Sequence, residues 1–549
     1  NDTVISAGNV GATAGEGDEW TDISGIGTGN VQAEYVIRIS GDTIYVNGGL
    51  NITNCYVNLD ATYFKSGMAS DNQALHGGVA GFCNSNAMKV DKCVVIGIKP
   101  YATTTNTTNN NVQHTGLETH FTNVYTDQPA GSAVYIGGSL GNRNFTNKVT
   151  QVASLKGSAA VVAMPNLDWG TTWVMDGTDA YPRLALPGEK SDTIYWDGAN
   201  TKTAPTQGSG TKADPYIIST VAELAYISGQ TRDNYAITDG KYYKIADGIK
   251  SIVMQPYAYG NDIKALDSAA ATKAYFEANA SNMKQWLYYG WEGSTFCGKI
   301  DFNGATVYGI YQVSTNNAGL FSSIDAGATF HNLAIKNSYM VSQSSGANYQ
   351  CGALAAVTNG GTYGKSVNGF IWAKNIEIAN NYMYGNSTSH DRNGIMFGAS
   401  SDIMYVDNAL VYGNDATYGA GVPMPLYSSA TNNVLVSSAP AIPEGLVVVD
   451  DGAETPRYYN MTRNSIFLGF NPFDLPQGYG SRFNDLKGYQ NCYTDANVET
   501  DTDKNGKTLL QYFYVTTTTP YITQINAADA LGAGAQTAMP NLTWGTDWY

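Results

Sequence analysis

Charge is what this 549-residue chain has least of: Asp, Glu, Lys and Arg make up 14% of it, against roughly 25% in an average soluble protein. The balance is acidic, with 46 carboxylates against 30 Lys and Arg and a formal net charge of −16. Basic residues form no cluster, which argues against a nucleic-acid partner, because phosphate contacts need grouped Lys and Arg. No apolar run reaches the roughly 20 residues that span a bilayer, so no membrane span is expected in this segment. Cysteine is scarce as well: Cys55, Cys83, Cys93, Cys297, Cys351 and Cys492 are widely spaced and include no C-x-x-C pair, a pattern that disfavours zinc or thioredoxin-like sites. They read as buried thiols or one or two disulfides, with Cys83 and Cys93 placed to face each other across a strand turn.

Catalytic signatures are lacking in the same way. The five histidines, His76, His114, His120, His331 and His390, form no H-E-x-x-H motif. His114 and His120 fall in a Thr/Asn-rich stretch that reads as surface loop. Asp450-Asp451 reads as a solvated turn. Gly360 to Ser366, GGTYGKS, fails as a phosphate loop because Asn359 stands where that motif needs glycine. No catalytic or cofactor-binding residue is assigned, and the chain reads as a non-enzyme. The one metal candidate is calcium at Asp501, Asp503 and Asn505, which with Gly506 give the first half of a calcium loop, although position twelve is Tyr512 rather than Glu.

What the chain has in quantity is Gly, Asn, Thr, Ser and Tyr. There are 60 glycines and 39 tyrosines, a β-rich balance of extracellular type. It also repeats itself. VDKCVVIG at Val90 to Gly97 matches VDNALVYG at Val406 to Gly413, NVYTD at Asn123 matches NCYTD at Asn491, and AMPNL at Ala163 matches Ala538. The order is kept while the offset grows, as expected for two copies of one module whose second copy has longer loops. The second copy stops short of its own AYPRL ending by that alignment. With Asn1 rather than Met at the start, this suggests a window on a tandem array.

The Gly/Pro/Thr-rich stretch from Pro187 to Gly210 marks the junction. This gives a first domain over 1–190 and a second over 191–549. Helical segments are expected near 220–229, where Thr220 and Glu223 form a capping box, and over 265–289, which is Ala-rich. The rest reads as short strands, each preceded by a small-residue step: Ala318-Gly-Leu-Phe321, Cys351-Gly-Ala-Leu354 and Asn393-Gly-Ile-Met396. Units recurring every 25 to 45 residues or so, with Asn-rich turns, point to an all-β right-handed parallel β-helix, a β-solenoid with short helical caps. Trp169, Trp173, Trp544 and Trp548 recur as W-x-x-x-W, a spacing expected to put both rings on one strand face. They are candidates for module packing or glycan stacking.

Phe296-x-Gly298-x-x-Asp301-x-Asn303-Gly304, followed by Ala318-Gly-Leu-Phe321 and GATFHNLAIKNS, resembles the GLUG-type repeats of bacterial surface proteins. The borders GSGTKADPYIISTVAELAYIS and W…DGTDAYPRL are similar to those of large secreted proteins of Bacteroidota. Residues 1–76 lack the motif. The resemblance implies a β-helical fold, a cell-surface or extracellular location, and adhesion or scaffolding. The expected partners are other modules of the same protein, further copies assembling into fibres, and surface glycans or host proteins. Asp-Thr/Ser-aliphatic triplets at Thr3, Thr43, Thr193 and Ser268 resemble the O-glycan acceptor pattern of that phylum. The competing reading is a secreted β-helical lyase or glycosidase, or a glycan-binding module.

Overall fold

The computed structural model describes residues 51–58, 89–96, 121–127, 149–186, 189, 191–199, 202–228, 235–286, 295–315, 317–343, 350–358, 370–386, 393–400, 403–419, 421–429, 461–470, 472, 489–497 and 522–548, with strand pieces at 13–14, 21–22, 36–40, 43–47, 101–102, 135–136, 434–435 and 457–458. The chain divides into two compact units, Asn1–Lys190 and Ser191–Tyr549. Both are rich in strands, and their principal sheets are parallel.

In the second unit three strands recur in fixed order. A long strand, Thr329–Lys336, is followed by Tyr339–Ser342 and Ala355–Thr358; then come Phe370–Ala379, Tyr382–Gly385 and Phe397–Ser400; then Ile403–Tyr412, Asp415–Tyr418 and Tyr427–Ser429. Each strand pairs in parallel with its counterpart one rung on. The consequence is columns of like side chains. Ile194, Ile252, Val307, Ile335, Ile378, Val411 and Phe467 stand in register across seven strands, and Tyr243, Ile300, Phe330, Ala373 and Val406 form a second buried column. Burying each such side chain contributes about 1.5–3 kcal/mol, but only if the next rung covers it.

Asparagine makes the corners. Asn332, Asn375, Asn408, Asn464 and Asn491 all have φ between 50° and 57°, a left-handed conformation that Asn tolerates better than other side chains. The freed side chains bond along the stack. Asn375 Nδ2 donates to Asn332 Oδ1 at 2.7 Å, and Asn408 Nδ2 to Asn375 Oδ1 at 3.0 Å. The small-residue steps act differently from the tight bends expected of them. A Cβ on Gly352 would lie 2.4 Å from both Ala355 O and Gly398 N, and one on Gly319 would lie 2.2 Å from Gly352 O. These glycines let adjacent rungs touch.

Helices close parts of this surface. Val221–Ile227 carries the capping box, with Thr220 Oγ1 accepting from Glu223 N at 3.2 Å and Glu223 Oε2 accepting from Thr220 N at 3.0 Å. Over 265–289 the helix is shorter than the sequence suggests, running only from Ala269 to Ala278. By Trp286 the backbone has joined the stack, its amide donating to Tyr311 O at 2.9 Å. That helix lays Phe276 on a ladder of aromatic rings, parallel to Tyr311 at 5.5 Å, with Tyr339 and Tyr382 continuing below at 5.7 and 5.0 Å.

In the first unit, strands Asn51–Thr53 and Tyr56–Asn58, Lys89–Ile96, Phe121–Thr126 and Val149–Gln151 form a parallel stack of the same kind. Residues 13–47 depart from the expected β-helix: their strands form an antiparallel meander. Ser40 pairs with Thr43, a separation far too short for the crossover that a parallel pair requires.

Candidate functional site

The long parallel sheet of the second unit has an outer face, and two outward columns run across it. One reads Tyr242, Lys299, Thr329, Trp372, Tyr405; the other reads Lys244, Asp301, His331, Lys374, Asp407, Arg463. The second column alternates in sign around His331. Its carboxylates are engaged: Asp301 Oδ1 accepts from Asn303 N and Asn332 Nδ2, both at 2.8 Å, and Asp407 accepts from Arg463 at 3.1 Å and Asn464 at 2.9 Å.

Between the columns, toward the N-terminal end of the stack, lies a groove of about 380 Å³ lined by Lys212, Tyr242, Lys244, Lys299, Asp301, His331 and Trp372, among others. Lys244 is held by Asp247 at 2.7 Å. Lys299 sits 4.5 Å above the Tyr242 ring centre, a cation–π contact that fixes the ammonium without neutralising it. His331 and Trp372 meet edge to face at 4.8 Å. Trp372 Nε1 and His331 Nε2 are both buried without a hydrogen-bond partner. Leaving such a group unpaired costs about 1–3 kcal/mol, and neither nitrogen is open to solvent. Burial, reinforced by neighbouring Lys374, pushes the His331 pKa down, while Asp301 opposes. The imidazole is therefore neutral at physiological pH.

No sequence signal singled out this groove. His331 and Trp372 are 41 residues apart and join only through the pairing of Thr329–Lys336 with Phe370–Ala379. Trp372 falls in a run of four buried residues, Phe370 to Ala373, so alternation along its strand gives no hint of the groove.

The tryptophan pairs are not on a strand face. Trp169 and Trp173 bridge across a turn, with Gly170 N donating to Trp173 O at 2.8 Å, and Trp544 and Trp548 do the same through Gly545 at 2.7 Å. Gly170 and Gly545 have φ of 80° and 82°, which makes the turn possible. Trp173 is 0% exposed and packs on Tyr56 at 6.4 Å, so it offers no face to a ligand. Thr193 is 6% exposed and its hydroxyl donates to Asp192 at 3.0 Å. Ser268 is the N-cap of the Ala269–Ala278 helix, its Oγ accepting from Ala271 N at 3.2 Å. A glycan on either hydroxyl would displace these bonds. Thr43 lies in strand Thr43–Asn47.

Thr3 and the calcium candidates Asp501, Asp503 and Asn505 lie outside the described residues, as do His114, His120, Asp450-Asp451 and a G-x-S-x-G match at Gly137 to Gly141. Among the described residues no group of three or more His, Cys, Asp or Glu is placed to hold a metal, and no helix is long and apolar enough to cross a membrane. Cys93 faces Cys55, since Thr53 pairs with Asp91 and Tyr56 with Val94; its expected partner Cys83 lies outside the described residues.

Compared with known protein families, curated proteins and solved structures, the chain matches none. The likeness to GLUG-type repeats therefore rests on the Phe296 to Ser338 motif and the module borders.

Proposed function

We propose that this chain is an extracellular structural and adhesive protein. In this reading its tandem units are right-handed parallel β-helices of GLUG type, docking on further modules and copies of the same protein, and the groove of the second unit contacts surface glycans. The observation that carries the reading is the in-register stacking of three strands per rung within the second unit, an arrangement that can lengthen by adding rungs. Low charge and abundant Tyr and Asn suit an exposed surface of this kind.

The groove supports adhesion over hydrolysis. Of its lining residues, Asp301 is the one carboxylate, and it is tied into the asparagine ladder, whereas glycoside hydrolysis calls for a facing pair of carboxylates. Lys299, set over the Tyr242 ring, offers a cation for a sugar carboxylate, with Tyr242 and Trp372 beside it as ring surface.

Two measurements test this. Imaging of native cell surfaces is expected to show filaments whose repeat matches one module; their absence overturns assembly into fibres. Titration with neutral and uronic-acid oligosaccharides is expected to show binding of the acidic series that falls at least tenfold in Lys299→Ala with unchanged circular dichroism. Equal binding by wild type and variant, or none by wild type, overturns the glycan contact.

A further inference from the structure

The first unit holds a pair of thiols that the groove and the rod leave unexplained. Cys55 and Cys93 belong to successive rungs. Thr53 pairs with Asp91 and Tyr56 with Val94, so one register, carried through both pairs, sets Asn54 opposite Lys92 and Cys55 opposite Cys93. Cys55 O accepts from Val94 N at 2.9 Å, and Asn54 N donates to Asp91 O at 3.2 Å, bonds that lock the register on both sides of the cysteines. Residues opposite each other in parallel neighbours lie about 4.8 Å apart and point the same way. That separation is inside the 4.4–6.8 Å window of Cα distances that a disulfide spans.

We infer that Cys55 and Cys93 form a disulfide that staples two successive rungs of the first unit when the chain is in an oxidising compartment.

The two sulfurs are unequal in a way that sets the order of events. Cys55 is half-buried and Cys93 is fully buried. The Cys93 thiol lowers the pKa of Cys55 by hydrogen bonding to it, while the same contact and burial push Cys93 up. Cys55 is therefore the more accessible and more readily ionised of the two thiols, and the thiolate it forms is the nucleophile. It attacks a small-molecule disulfide such as oxidised glutathione, forming a mixed disulfide and releasing one thiolate. With Cys55 capped, its charge no longer opposes ionisation of Cys93. Cys93 gives up its proton to solvent and attacks the Cys55 sulfur, and the second glutathione thiolate leaves. Two thiols are oxidised, one glutathione disulfide is reduced to two thiols, and no other reactant is needed.

The linkage constrains the unfolded chain by closing the loop between the two rungs. The remaining described cysteines, Cys297, Cys351 and Cys492, are each buried thiols.

The test uses the full purified chain, equilibrated with oxidised glutathione, alkylated and digested without reductant. The expected result is a Cys55–Cys93 cross-linked peptide and a melting temperature for the oxidised chain that drops by several degrees on adding dithiothreitol. Cys55→Ser is expected to melt at the reduced wild-type temperature and to be insensitive to dithiothreitol. Both thiols alkylated after oxidation, a peptide linking either one to Cys83 instead, or a melting temperature indifferent to reductant in the wild type overturns the inference. Peptide mapping needs no variant, so it decides the question even if Cys55→Ser fails to fold. The outcome does not depend on glycan binding or rod shape.

Discussion

The last rungs of the two units are built from the same parts, and the exceptions are instructive. Counting back from Val149–Gln151 and from Ile522–Gln524, the four rungs of the first unit's parallel stack can be set against the last four of the second. On that count Asn54 corresponds to Asn408, Lys92 to Asn464 and Asn123 to Asn491, all with φ near +50°. The match of VDKCVVIG to VDNALVYG thus joins rungs one step apart, because corners of this fold resemble each other whichever rung they belong to. After the last rung the likeness is residue by residue. Tyr125 Oη accepts from Asn166 N at 3.4 Å and Tyr493 Oη from Asn541 N at 3.2 Å; Trp169 Nε1 donates to Met164 O at 2.9 Å and Trp544 Nε1 to Met539 O at 2.8 Å.

The differences come in linked sets. Lys92 bonds Asp168 at 2.7 Å, and the second unit has neutral Asn464 and Thr543 at those two positions. Trp173 donates to Asn54 Oδ1 at 3.3 Å, whereas Trp548 Nε1 and Asn408 Oδ1 are both buried and unpaired. The geometry of the turn is common to both units, and what seals it is local to each.

Substitutions can sharpen that contrast. The largest effect is expected from Trp173→Ala, about 3–5 kcal/mol for a fully buried indole, against clearly less for Trp548→Ala, whose side chain is half-buried; urea titration of each variant reads the difference, and equal losses would dissolve the distinction. Next comes Gly352→Ala, expected to cost about 1–3 kcal/mol as overpacking against the neighbouring backbone, with unfolding of the second unit shifted and that of the first unchanged. Asn464→Lys is expected to cost about 1 kcal/mol, since it removes hydrogen bonds to Asp407 and from Asn491. The reverse change, Lys92→Asn, is expected to stay within about 0.5 kcal/mol, because an exposed ion pair is worth little and Asn suits the left-handed corner. If Lys92→Asn proves as damaging as Asn464→Lys, the two corners are not equivalent.

The smallest expected effect depends on pH. His331 has a folded-state pKa below its unfolded value of 6.5, so below that pH the unfolded chain binds the extra proton first and stability declines as pH falls toward the folded value. His331→Gln is expected to remove that slope from the second unit's unfolding between pH 6.5 and 5, measured by denaturant midpoint; an unchanged slope assigns it to other groups.

Much of the local structure was legible in residue types. The capping box at Thr220 and Glu223 could be read because it is satisfied within four residues. The left-handed corners at Asn303 and Asn380 could be read because few other side chains accept that backbone. The meander over 13–47 was not legible: alternation marks a strand but not its partner's direction. The groove escaped because Tyr242, Lys299, His331 and Trp372 are ordinary outward residues until four separate strands align.

Sequence alone determined the capping box, the asparagine corners and the repeated Tyr-to-Trp ending, since each depends on steric and hydrogen-bonding choices made locally. Tertiary structure alone decided which rung stacks on which, that Cys55 stands opposite Cys93, and that His331 meets Trp372 beside one groove. Those outcomes turn on register between strands tens of residues apart, which is set by the fit of whole columns of side chains.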